Sequence, residues 1–127
     1  MNDDILGSLE FACKVVGAKL IAVVGHPSCG AVNGAVDKVE LGNLTGLLQR
    51  IEPAVVEADK QVKGERTSED AALVAAVTVD NVLLQMKNIR EKSPILKEML
   101  DKGQIALVGS VQDLATGKVT FLNTDEN

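Results

Sequence analysis

Residues 20–30, Leu20-Ile21-Ala22-Val23-Val24-Gly25-His26-Pro27-Ser28-Cys29-Gly30, decide the fold. Five apolar residues in a row are too few for a helix, and Gly25 ends them, so they read as a strand buried on both faces. Gly25 to Gly30 is then a tight turn into a helix over about residues 31–39. In an open α/β sheet such a strand–turn–helix junction is where ligands bind, because helix N-termini present free N–H groups there.

Working outward, residues 5–16 read as a helix, with Asp3 or Asp4 as N-cap and Gly17 as its end. Ile5, Leu9, Ala12 and Val16 recur at helical spacing and are its expected core face. A second helix is expected over residues 44–62, with Pro53 marking a kink or restart. Thr67-Ser68-Glu69-Asp70 has capping-box spacing before a long helix reaching about Glu91. Ser93-Pro94 opens a short helix that Gly103 ends. Residues 105–109, Ile-Ala-Leu-Val-Gly, form a second buried strand, and residues 119–122, after the turn at Thr116-Gly117, an edge strand. Strands separated by helices predict a three-layer α/β fold, a short and mostly parallel sheet flanked by helices, in one domain over residues 1–127.

The chain has 127 residues, 46% of them hydrophobic but only 2% aromatic, so Val, Leu, Ile and Ala must build its core. Thirteen basic residues are scattered along a chain of net charge −5, which argues against nucleic acid as a partner. The longest apolar stretch, about seven residues, is far below a membrane span. Met1-Asn2-Asp3-Asp4 lacks the order of a secretory signal, and two cysteines make no disulfide framework. A reducing cytoplasm is the expected location.

His26, the only histidine, stands two residues before Cys29 in the turn. Imidazole and thiolate are both zinc donors, and this spacing lets one turn aim both inward. The plainer alternative is a hydrogen-bonded His and a buried Cys at a turn. A nucleophilic Cys29 with His26 beside it is a third reading. A hydrolase elbow on Ser28 fits worse, since the glycines are one residue too far apart and no second His exists to act as base. Cys13 reads as core packing and Asp113 as a turn cap.

Ser8-Leu9-Glu10-Phe11-Ala12, the stretch from Leu20 to Val32, the strand from Ile105 to Gly109, Asp113 and Thr116-Gly117-Lys118-Val119 together resemble a β-class carbonic anhydrase. The likeness runs over essentially the whole chain and implies a zinc lyase that interconverts carbon dioxide and bicarbonate. It puts the family's second and third metal ligands at His26 and Cys29. The first ligand and the Asp–Arg pair that orients the zinc-bound water belong to a Cys-x-Asp-x-Arg motif on a preceding strand, which these residues do not contain. The resemblance therefore implies a truncated β-carbonic anhydrase fold, with zinc as the family cofactor and no catalytic side chain of its own. Impaired or absent activity is expected, the alternative being a non-catalytic oligomeric protein that retains the fold. It also implies an uncovered edge on the strand from Leu20 to Val24, and hence a homodimer or higher homo-oligomer.

Overall fold

The computed structural model describes residues 1–122. Strand β1 (Leu20–Gly25) pairs in parallel with β2 (Ala106–Gln112), and β3 (Val119–Phe121) pairs antiparallel on the far side of β2. The helices are α1 (Asp3–Glu10), α2 (Gly30–Val36), α3 (Gly42–Gln49), α4 (Glu52–Gln61), α5 (Ala71–Lys92) and α6 (Pro94–Asp101). The layers run from the sheet to α5, then to α2 and α4 on the other side of α5. No described helix is long and apolar enough to cross a membrane.

Two separate cores follow from this order. Ile21 and Leu107 of the sheet pack with Leu6, Cys13, Met86, Ile89 and Leu96. On the opposite side of α5, Leu73 and Val77 pack with Val32, Val36, Val55 and Ala58. Two glycines let α5 approach the sheet so closely. A Cβ on Gly25 would stand 2.9 Å from Val82 Cγ2, and one on Gly109 would stand 2.6 Å from Met86 Sδ.

The strand from Leu20 is not buried on both faces as its apolar run suggests. Ile21 is 5% exposed, whereas Leu20 is 57% and Val24 51% exposed. An unbroken apolar run shows that neither face tolerates charge, but what covers each face is decided elsewhere in the chain. The carbonyl of Lys19 accepts from Ala106 N–H at 2.9 Å. Backbone groups alternate sides along a strand, so those of Leu20, Ala22 and Val24 point away from β2, toward the free edge of the sheet.

The first helix also departs from expectation. Asn2, not Asp3 or Asp4, is the N-cap, its Oδ1 accepting from Ile5 N–H at 3.0 Å. The helix widens into a π-helical turn over Phe11–Val16 before Gly17, at φ 93°, ends it. Leu6 and Cys13 are buried there while Ile5 and Val16 are exposed. Two stripes of this segment satisfy helical spacing equally well, and packing selects the other one. Cys13 takes the core position expected of it.

Further along, the expected helix over residues 44–62 is two helices, with Pro53 in the first turn of α4 as a restart. Asp70 rather than Thr67 caps α5, accepting from Ala72 and Leu73 N–H at 3.1 Å each. Ser93 caps α6 from a fully buried position, accepting from Leu96 N–H and donating to Glu10 Oε1 at 2.6 Å, which ties α6 to α1. The second strand runs three residues beyond Gly109, to Gln112.

One carboxylate is placed at a cost. Asp80 Oδ2 on α5 is buried without a hydrogen-bond partner. Burial pushes its pKa above the usual carboxylate range, and the charge of Glu57 adds to the rise. The folded state then binds this proton more readily than the unfolded state, so stability falls as pH rises from the ordinary carboxyl range through the raised pKa. Asp80→Asn is expected to stabilise the protein at pH 7 by on the order of 0.5 kcal/mol, a small figure because water still screens part of the side chain. Thermal melts of both proteins should diverge at neutral pH and converge below about pH 4. An equal gap at both pH values would mean that charge is not the cause.

Candidate metal centre

The turn between the end of β1 and the start of α2 carries His26 and Cys29, three positions apart in the chain. Gly25 closes β1 against α5, and Ser28 turns the chain at φ 55°. A non-glycine residue in the left-handed region is a strained choice that clusters at ligand sites. Cys29 is the N-cap of α2 in an extended conformation, and its carbonyl accepts from Asn33 N–H at 3.0 Å. Both His26 and Cys29 are half-buried.

The orientation of the imidazole is the most informative detail. His26 Nδ1 lies 2.8 Å from the carbonyl oxygen of Pro27. That oxygen can only accept, so Nδ1 is the nitrogen that donates, and Nε2 is the one left to face a metal. A backbone carbonyl holding one ring nitrogen is the usual outer support of a metal-binding histidine. Cys29 is a free thiol, not a disulfide partner.

Donor number is the other half of the test. Among the described residues, no group of three or more His, Cys, Asp or Glu side chains could hold a metal ion. A catalytic zinc needs three protein ligands plus water, and a structural one needs four. His26 and Cys29 fit zinc in kind but not in number.

Beside the turn lies a mostly apolar cavity of about 450 Å³, reached by Pro27 and Ser28, walled by Val74 and Thr78 of α5, and closed by Val111. His26 and Cys29 do not line it. Asn33 does, and its Oδ1 is buried without a partner. One asparagine in a short helix gives no sequence signal for such a position. At the rim, Asp37 accepts from Ser68 Oγ at 2.6 Å and Ser68 N–H at 2.8 Å, and these bonds hold its carboxyl below the usual range. Asp113 is the turn cap expected of it. The N–H groups of Thr116 and Ala115 donate to it and likewise lower its pKa.

A family model described as carbonic anhydrase matches residues 1–119 of the chain. The chain belongs to the β-carbonic anhydrase family. It is 30% identical over 126 residues to carbonic anhydrase 2 of Mycobacterium tuberculosis, covering 95% of this chain and 57% of that protein. Identity to the carbonic anhydrase of Pseudomonas aeruginosa is also 30%, over 94% of this chain and 53% of the relative. Among solved structures, a tetrameric β-carbonic anhydrase from Sordaria macrospora superposes with a TM-score of 0.83 at 18% identity, covering 98% of this chain and 62% of that one. The Coccomyxa β-carbonic anhydrase in complex with acetazolamide gives 0.77 at 26% identity, over 92% and 52%. The α/β architecture is thus that of β-carbonic anhydrase structures in part, and the chain spans little more than half the length of the curated relatives it matches.

Proposed function

We propose that these 127 residues carry two of the donors of a β-carbonic anhydrase zinc site, His26 and Cys29, and do not by themselves hydrate carbon dioxide. The observation that carries this reading is the donor count: the Pro27 carbonyl holds Nδ1 of His26, and among the described residues no group of three or more His, Cys, Asp or Glu side chains could hold a metal ion. Zinc activates water by lowering its pKa at an open coordination position, and two protein ligands leave neither the affinity nor the geometry for that. A cytoplasmic location fits two free thiols, and a homo-oligomer of this one domain fits its uncovered strand.

The test pairs metal analysis with a carbon dioxide hydration assay on the 127-residue protein prepared with zinc. The expected result is zinc well below one per chain after dialysis against a mild chelator, with hydration no faster than in buffer. One retained zinc per chain together with hydration would overturn the reading. A second reading, favoured by family membership, has residues outside this sequence complete the site for reversible carbon dioxide hydration. Restored metal retention on adding those residues would support it.

A further inference from the structure

The cavity beside the turn has the size of a ligand site and an atom in want of a partner. It measures about 450 Å³, within the roughly 300–1,000 Å³ of small-molecule pockets. Val74 and Val79 of α5 wall it from one direction, Val111 and Leu122 from the sheet. Asn33 of α2 borders it, and the buried Oδ1 of that side chain accepts no hydrogen bond. A buried acceptor left unmet is rare in a folded protein and calls for a donor.

The rest of the lining decides what kind of donor can come. Two hydroxyls already direct their protons elsewhere: Thr78 Oγ1 donates to the Val74 carbonyl at 2.9 Å, and Ser68 Oγ to Asp37 Oδ2 at 2.6 Å. The backbone donors at the start of α5 are engaged too, since Asp70 Oδ1 accepts from Ala72 and Leu73 N–H. Among the described residues no Lys, Arg or His lines the cavity, whereas the carboxylate of Glu69 does. An anion such as bicarbonate would give up its water there for a negative neighbour and no cation. An apolar body, by contrast, gains by leaving water for these walls.

We infer that this cavity binds a small neutral molecule with an apolar body and one hydrogen-bond donor, an alicyclic alcohol being the simplest case. The donor meets Asn33 Oδ1, which a turn about the last, weakly restrained torsion of the side chain brings to the cavity. The ring lies between Val79 and Val111. His26 and Cys29 do not line the cavity, so binding requires no metal.

Amide NMR of the 127-residue protein tests it, by titration with cyclohexanol and, separately, with cyclohexanone, which can only accept. Cyclohexanol is expected to saturate with a Kd on the order of 1 mM, shifting the amides of Asn33, Thr78 and Val111. The ketone should bind about fivefold more weakly or worse. Asn33→Leu removes the acceptor and keeps an apolar wall, so the two compounds should then bind alike. Ala75→Trp, at an exposed position that lines the cavity, should fill the space and abolish both. No saturation up to the solubility of the alcohol, or shifts scattered away from these residues, overturns the site. Equal binding of alcohol and ketone by the wild type overturns the role of Asn33, and this comparison needs no variant to fold. An alcohol preference that survives in Asn33→Leu does the same. Bicarbonate that displaces cyclohexanol overturns the choice of a neutral ligand.

Discussion

Leu107→Ala is expected to lower the unfolding free energy by about 3–4 kcal/mol. Leu107 is 1% exposed and sits on β2, the middle strand, with Ile21 beside it in register and Met86, Ile89 and Leu96 above it in the same core. The ladder to β1 fixes the strand at this point, so it cannot easily shift inward to fill a void and the cavity term should approach its full size. Total stability of a domain this size is about 5–15 kcal/mol, and the loss is a large part of it. Urea titration should show a lower midpoint at unchanged slope, and the melting temperature should fall by about 10–15 °C. A loss under about 1 kcal/mol would mean that the core closes around the gap, contrary to the packing described.

Gly109→Val should cost about 3 kcal/mol, through overpacking rather than a void. The new Cβ would stand 2.6 Å from Met86 Sδ and 2.9 Å from Val82 Cγ1. Met86 can swing aside because its side chain is flexible. Val82 cannot, since a β-branched residue in a helix has essentially one χ1 rotamer. The helix itself must therefore lift from the sheet. Valine has the better strand propensity, by up to about 1 kcal/mol, but the clash outweighs it. Denaturant midpoints of Gly109→Val and of the double variant with Val82→Ala provide the check: the second substitution should recover part of the loss. If Gly109→Val is neutral, α5 does not sit as close as described.

Much of the fold could be read from residue order. The run from Leu20 to Val24, Gly25 behind it and the helix after Cys29 are local signals, and local signals survive into the structure. Pro53 as a helix restart and Gly17 as a helix end are of the same kind. What could not be read is what each element meets. Leu20 and Ile21 are alike in chemistry, and only the position of α5 makes one exposed and the other buried. The stripe chosen on the first helix, Leu6 and Cys13 rather than Ile5 and Val16, is likewise decided by the partner surface. His26 and Cys29 could be named as candidate donors through the family resemblance, while their spacing alone left a hydrogen-bonded His and a buried Cys open. The orphaned oxygens of Asn33 and Asp80 could not be read in this way, since an unpaired buried atom is a property of three-dimensional neighbours.

Helix α5 stands between the two cores and, among the described residues, is the one element that contributes to both, through Leu73 and Val77 in its first half and Val82, Met86 and Ile89 in its second. Losing either cluster uncovers part of the same rod, so neither half can melt alone without exposing apolar residues on the helix the other half needs. The bundle and the sheet are therefore bound into one cooperative transition, although their side chains scarcely meet.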